Sequence, residues 1–224
     1  MVSSNLQLWY AKAGEHTLET ELAVIPLLGA TETQRLNRIG SDKKKREFLL
    51  SRALMRHALS ELFNTPAEGW HFTEKVNCAP LINNLPKKIF TSLSHSHGHI
   101  FFALSIFPVG VDVELVRDKK QLLEKASLFM SKQELESFKS IEGANQLDNF
   151  YNIWCAKESY FKANKRKQKN MKFTALSIAD DIASSKHWSL IADRTNEVHY
   201  AVVVRNQAKA VNVSRHRLVC SMAD

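Results

Sequence analysis

The stretch Val109-Gly110-Val111-Asp112-Val113-Glu114-Leu115 sets two acids two residues apart inside an otherwise apolar run. Side chains of a strand alternate between its faces. Val109, Val111, Val113 and Leu115 therefore share one face, and Gly110, Asp112 and Glu114 share the other. Adjacent carboxylates repel, and burying either alone is costly. A divalent cation removes the conflict, and a hard ion such as Mg2+ takes oxygen ligands. Alone, the pattern also suits an ordinary solvated strand face.

A second segment supplies the complement: Trp154-Cys155-Ala156-Lys157-Glu158-Ser159-Tyr160-Phe161-Lys162. Leu147, Tyr151, Trp154, Glu158 and Phe161 recur at helical spacing, which predicts Glu158 on an inward, apolar stripe. Lys162 lies at i+4, within reach of Glu158. An acid on such a stripe is a candidate metal ligand or general base, whereas the pair by itself is commonly helix support.

Together the two segments resemble the signatures of the surfactin-type (group II) 4'-phosphopantetheinyl transferases, G-[VI]-D-[VI]-E and W-x-x-K-E-[AS]-x-x-K. Thr91-Ser92-Leu93-Ser94-His95-Ser96 is similar to the family's apolar-x-SHS element, and the three occur in the family's order. The resemblance runs from about Arg46 to Ile178. It implies an α+β fold, a pseudo-dimer of two similar α+β halves with the cofactor in the cleft between them.

The activity so implied is transfer of 4'-phosphopantetheine from coenzyme A to a serine of an apo acyl or peptidyl carrier protein, releasing adenosine 3',5'-bisphosphate. Under the resemblance Asp112, Glu114 and Glu158 hold Mg2+ against the pyrophosphate. Glu158 is also the general base, acting directly or through a water. Lys162, and Lys157 beside it, steady the pyrophosphate and leaving group. Ser94 and His95 contact the nucleotide's 3'-phosphate, with Arg46 and Arg52 of the first long helix as further phosphate ligands. Arg35 and Arg56 are weaker candidates. The chain departs from the family at Asn77-Cys78-Ala79-Pro80, where Ala79 replaces a lysine of a G-K-P element. Lys75 is the available substitute, and the adenine contacts are left open.

The 224 residues, 44% hydrophobic and 24% charged, suit one large globular domain or two small ones. No apolar run approaches the roughly 20 residues of a membrane span, and no secretory signal stands at the N-terminus. Cys78, Cys155 and Cys220 are widely spaced and form neither a metal quartet nor a disulfide framework. A cytoplasmic setting follows, with no membrane partner. Cys155 reads as a packing residue.

A net charge of +8 favours polyanionic partners. An acidic apo carrier protein and coenzyme A both fit. The basic run Lys162, Lys165, Arg166, Lys167, Lys169, Lys172 holds no aromatic before Phe173, which argues against a nucleic-acid binder. The competing classes are a basic nucleic-acid-binding protein and a carrier-binding homologue with impaired catalysis.

Along the chain, Asn5 to Ala13 alternates as a strand. Glu19 to Gly40 reads as partly helical with Pro26 interrupting, and Ser41-Asp42 opens a helix over Lys43 to Phe63. Trp70 to Val76, Ile89 to Leu93 and Ile100 to Phe107 read as strands. His95, His97 and His99 alternate; a zinc cluster is one reading, and Gly98 with the serines favours a turn. Ser131 and Glu134 form a capping box. Asp148 to Asn164 is the motif helix. Trp188 to Ala192 and Val198 to Val204 form a hairpin, with Val211 to Val213 and Leu218 to Cys220 extending its sheet. All five prolines lie at or before Pro108. That asymmetry suggests a junction near Pro108, and the resemblance implies that residues 1–107 carry the coenzyme A phosphate and adenine side and 108–224 the metal and catalytic motifs. A pseudo-dimer of this kind works as a monomer.

Overall fold

The computed structural model describes residues 5–15, 18–75, 79–86, 88–117, 120–164, 172–206 and 211–218. Cys78, Cys220 and the basic residues 165–169 lie outside them.

The strands are β1 (Leu6–Lys12), β2 (Phe72–Thr73), β3 (Leu81–Ile82), β4 (Phe90–Ser96), β5 (His99–Ser105), β6 (Val109–Leu115), β7 (Trp188–Arg194), β8 (Val198–Arg205) and β9 (Val213–Arg217). The helices are α1 (Leu18–Leu22), α2 (Ala30–Arg38), α3 (Asp42–Phe63), α4 (Leu122–Ser127), α5 (Lys132–Lys139) and α6 (Gly143–Ala163). This is a mixed α+β fold. One sheet has the order β4-β5-β1-β9 and another the order β6-β8-β7; β2 and β3 form a small ribbon.

Strand alternation builds the layers. Trp9, Ala11, Ile100, Phe102 and Leu104 face α3 and pack on Leu50, Leu54, Met55, Ala58 and Leu59. The opposite face of that sheet presents Leu6, Leu8, Phe101 and Ala103 to Val109, Val111, Val113, Val202 and Val204 of the second sheet. Ala201, on the far face of β8, meets Cys155 and Ala156 of α6. The order through the molecule is therefore α3, first sheet, second sheet, α6. Burial of so many aliphatic and aromatic side chains is the main stabilising term.

Local signals act where expected. Pro26 sits in a 3₁₀ turn between α1 and α2, and Asn64 closes α3 in the left-handed conformation. Ser131 and Glu134 complete a reciprocal capping box. His97 and Gly98, at φ 52° and 91°, make the two-residue turn joining β4 to β5. His99 stands opposite Ser96 and so on the other face of the hairpin from His95, and among the described residues no three His, Cys, Asp or Glu are placed to share a metal, against the zinc-cluster reading.

The C-terminal strand corrects the sequence expectation. β9 does not extend the β7–β8 hairpin; it returns to the first sheet and pairs parallel with β1, Leu6 against Val213 through Tyr10 against Arg217. His216 lies in register with Trp9 and stacks on its indole at 4.1 Å. Residues after 108 thus complete a sheet begun at residue 6. Among the described residues, no helix is long and apolar enough to cross a membrane.

Candidate active site

α6 lies unusually close to the second sheet because small residues line the contact. Cys155 Sγ donates to the His199 carbonyl at 3.6 Å, and Ser159 Oγ donates to the Ala201 carbonyl at 2.8 Å. A Cβ placed on Gly110 would lie 1.9 Å from the Ser159 carbonyl oxygen and 2.6 Å from the Ala163 nitrogen. Only a glycine admits that approach. The buried stripe of α6 is therefore Tyr151, Cys155, Ser159 and Ala163. Glu158 and Trp154 sit half-buried on its flank, a correction to the expected stripe through Leu147, Tyr151, Trp154, Glu158 and Phe161. That offset turns Glu158 toward a cleft instead of into the core.

The cleft, about 290 Å³, is lined by Leu93, Ser94, His95, Asp112, Val113, Glu114, Trp154, Glu158 and Lys162. Lys162 Nζ donates to Asp112 Oδ1 at 2.7 Å, to Ser94 Oγ at 3.1 Å and to the Val111 carbonyl at 3.1 Å. Lys162 is thus held on Asp112. Glu114 Oε1 accepts from Trp154 Nε1 at 3.3 Å, and its Oε2 accepts from Ser96 Oγ at 2.9 Å. The Trp154 indole meets Phe129 edge-on at 5.0 Å and stacks with Phe173 at 5.9 Å.

The donor set can be tested against a metal. Asp112 is buried, its Oδ1 accepts from Ser94 and Lys162, and its Oδ2 has no hydrogen-bond partner. A buried carboxylate oxygen left bare is costly, and a cation supplies what it lacks. Among the described residues no three His, Cys, Asp or Glu form a ready-made cage. Asp112 and Glu114 nevertheless fit an ion that brings phosphate and water oxygens with it.

Of the residues expected to touch the cofactor, Lys157 and Arg52 are engaged away from the cleft, and Ser94 lines it with its hydroxyl already bonded. Lys157 is fully buried; its Nζ donates to the carbonyls of Phe129, Phe173 and Leu176 and pairs with Glu134 at 2.5 Å. Burial pushes the Lys157 ammonium below its ordinary range, against the pull of Glu134. It ties α5 and the 173–176 turn to α6 and faces away from the cleft. Arg52, 2% exposed, binds Glu74 and Glu32 and lies over the Phe48 ring at 4.3 Å. Freeing it for a phosphate would take one of two cationic partners from each of two buried carboxylates, leaving Glu74 to Arg35 and Glu32 to Arg56. Ser94 spends its hydroxyl on Asp112 and Lys162.

Arg46 and His95 remain accessible. Arg46 Nε pairs with Glu21 Oε2 at 2.8 Å while its guanidinium is half exposed. His95, 53% exposed, contacts Glu47 Oε1 at 2.5 Å. Burial would raise the Glu47 carboxyl, but its bond and attraction to His95, helped by His97 and the Gly98 amide, hold it below its ordinary value. Arg35 pairs with Glu74, and Arg56 with Glu32 inside the fold. Burial lifts the Cys155 thiol well above its ordinary range, as suits a packing residue.

Residues 108–214 match the model of the 4'-phosphopantetheinyl transferase superfamily. This part of the chain is a 4'-phosphopantetheinyl transferase superfamily domain. The domain begins at β6, so it takes in Asp112, Glu114, Glu158 and Lys162, while β4 and α3 precede it. Similar proteins include the 4'-phosphopantetheinyl transferases psf-1 of Bacillus pumilus, 31% identical over 52% of this chain and 49% of its own length, and Sfp of Bacillus subtilis strain 168, 32% identical over 51% and 50%. The 4'-phosphopantetheinyl transferase ffp of Bacillus subtilis is 29% identical over 62% of this chain and 61% of its own. The chain thus spans about half to three-fifths of the length of the curated relatives it matches.

Two features of the transferase domain's site escaped the sequence reading: the donors on Glu114 and the buried Lys157–Glu134 pair. Ser92, Ser94 and Ser96 carry a period of two, which marks them as one strand face, but their partners on β6 lie 18 or 19 residues further along the chain.

Proposed function

We propose that the protein transfers 4'-phosphopantetheine from coenzyme A to a serine of an apo carrier protein, releasing adenosine 3',5'-bisphosphate. The observation that carries this reading is the convergence of Asp112, Glu114, Glu158 and Lys162 on one cleft between β6 and α6. Asp112 and Glu114 would hold Mg2+, with Glu158 beside them. When bound, the ion would neutralise pyrophosphate oxygens as the bond to the leaving group breaks. Glu158, flanking the cleft, takes the proton of the carrier serine directly or through a water. Lys162 supplies fixed positive charge to the departing phosphate. His95 and the half-exposed guanidinium of Arg46 are the accessible groups for the nucleotide's 3'-phosphate.

The pseudo-dimer reading is supported by one sheet and one long helix on each side of the sheet–sheet core, α3 on the first and α6 on the second. Such a chain completes its cleft without a second subunit. The +8 charge suits an acidic carrier surface, which would make association salt-sensitive. The reduced, buried Cys155 is in keeping with a cytoplasmic setting.

The test is intact-mass spectrometry of an apo carrier protein incubated with the protein, coenzyme A and Mg2+, with an EDTA control. A gain of one phosphopantetheine that EDTA abolishes is expected. No gain over a set of fatty acid, polyketide and nonribosomal peptide carriers would overturn the reading.

A further inference from the structure

The two sheets meet along an edge that contains no backbone ladder. β4 is the edge of the first sheet and β6 the edge of the second. Between them stand three serines of β4. Ser92 Oγ accepts from the Val111 amide at 3.0 Å. Ser94 Oγ donates to Asp112 Oδ1 at 2.9 Å. Ser96 Oγ accepts from the Leu115 amide at 3.3 Å and donates to Glu114 Oε2 at 2.9 Å. All three are buried.

The seam does more than hide a strand edge. A hydroxyl both donates and accepts, so Ser96 fixes the backbone of β6 and the side chain of Glu114 at once. Glu114 receives its second donor, Trp154 Nε1, from α6. Its two oxygens are thereby clamped from opposite sides, by the first sheet and by the helix. Asp112 is held on one oxygen only, leaving Oδ2 bare. A carboxylate clamped in this way meets an ion with little loss of rotamer freedom, the role that outer-shell partners play at metal sites.

We infer that Ser96 is a positioning residue for Glu114, setting the metal affinity of the cleft from the first sheet. The inference rests on the proposed transferase reading insofar as that reading places a divalent ion at Asp112 and Glu114. It makes the metal site dependent on residues outside the matched domain, which begins after β4 ends.

The test compares Ser96→Ala, Ser96→Thr and Ser92→Ala for binding of Mn2+ by electron paramagnetic resonance, with and without coenzyme A, and for Mg2+ dependence of carrier modification. Ser92 occupies the same seam but bonds only backbone among these contacts, so its variant reports loss of a seam hydrogen bond alone. Ser96→Ala is expected to weaken Mn2+ binding about tenfold or more, to raise the Mg2+ needed for half-maximal turnover in parallel, and to leave turnover at saturating Mg2+ little changed. Ser96→Thr, keeping the hydroxyl, should restore binding, and Ser92→Ala should bind as the parent does. Should Ser96→Ala fold poorly, Trp154→Phe removes the other clamp on Glu114 and is read the same way. Equal Mn2+ affinity in Ser96→Ala and the parent overturns the inference and leaves the transferase reading standing. So does an equal loss in Ser92→Ala. Weakened Mn2+ binding in a protein that modifies no carrier supports the inference while sinking the transferase reading. A parent protein that binds no Mn2+ even with coenzyme A overturns the inference, whatever the carrier assay shows.

Discussion

Lys162 Nζ stands 2.7 Å from Asp112 Oδ1, and the same ammonium reaches the Val111 carbonyl on the open edge of β6. A single side chain from the last turn of α6 therefore both neutralises a buried acid and caps a strand edge. Lys162→Met would leave Asp112 buried without a counter-charge. Because Lys162 is one-third exposed, the cost is set below that of a fully buried pair, at about 2 kcal/mol. Pairing the change with Asp112→Asn should recover part of that loss. Urea unfolding of both variants measures it; a single variant as stable as the parent would show that solvent already screens Asp112.

Glu158→Gln keeps the size and packing of the side chain but removes its basicity and most of its attraction for a cation. Carrier modification should fall by at least about a hundredfold, with the melting temperature unchanged. Near-normal turnover would sink the assignment of Glu158 as base or ligand.

Lys157 has its stabilising role inside the fold. Lys157→Met would strand Glu134 and three carbonyl oxygens, at a cost of about 3 kcal/mol. The variant should melt earlier while its folded fraction binds coenzyme A as before. Selective loss of coenzyme A binding in a variant of full stability would return Lys157 to the cofactor site.

Gly110→Ala would drive a methyl group into the Ser159 carbonyl of α6. Backbone cannot yield as a flexible side chain does, so a penalty of about 3 kcal/mol or more is expected, together with lost transfer as α6 lifts Glu158 and Lys162 from β6. Crystals or hydrogen exchange of the variant would show α6 displaced; an unaltered, fully stable protein would contradict the close approach.

The Glu47–His95 contact carries a pH signature. Glu47 has a depressed carboxyl, so its contribution to stability is present above the ordinary value of 4.5 and is lost as the pH falls through the lowered folded value. In Glu47→Gln that contribution is missing, and the difference in stability between parent and variant should shrink as the solution is acidified below 4.5. A difference that stays constant with pH would show that the contact does not shift the carboxyl.

Much of the site could be read from local pattern. Alternation in 109–115 predicts which faces Val111 and Asp112 take, because strand periodicity is set by the backbone alone. The turn at His97-Gly98 and the cap at Ser131 are equally local. The sequence was less informative about Arg52 and Lys157. Both are cations near the recognised motifs, and nothing in the adjacent residues tells that Glu32, Glu74 and Glu134 come from other elements to claim them. The place of β9 was likewise hidden, since a short alternating strand pairs with whichever edge the rest of the chain leaves open.

The sequence by itself determined the kinds of element, the two acids sharing one face of β6, and the family to which residues 108–214 belong. These follow from periodicities of two and 3.6 residues and from motifs contiguous in the chain. Tertiary structure alone decided which charges are free to act. Lys162 was brought to Asp112, Ser96 to Glu114 and Arg52 to Glu74 across 50, 18 and 22 residues of chain. A charged or polar side chain acquires its role from the partner that shares its burial, and that partner is chosen by packing between layers.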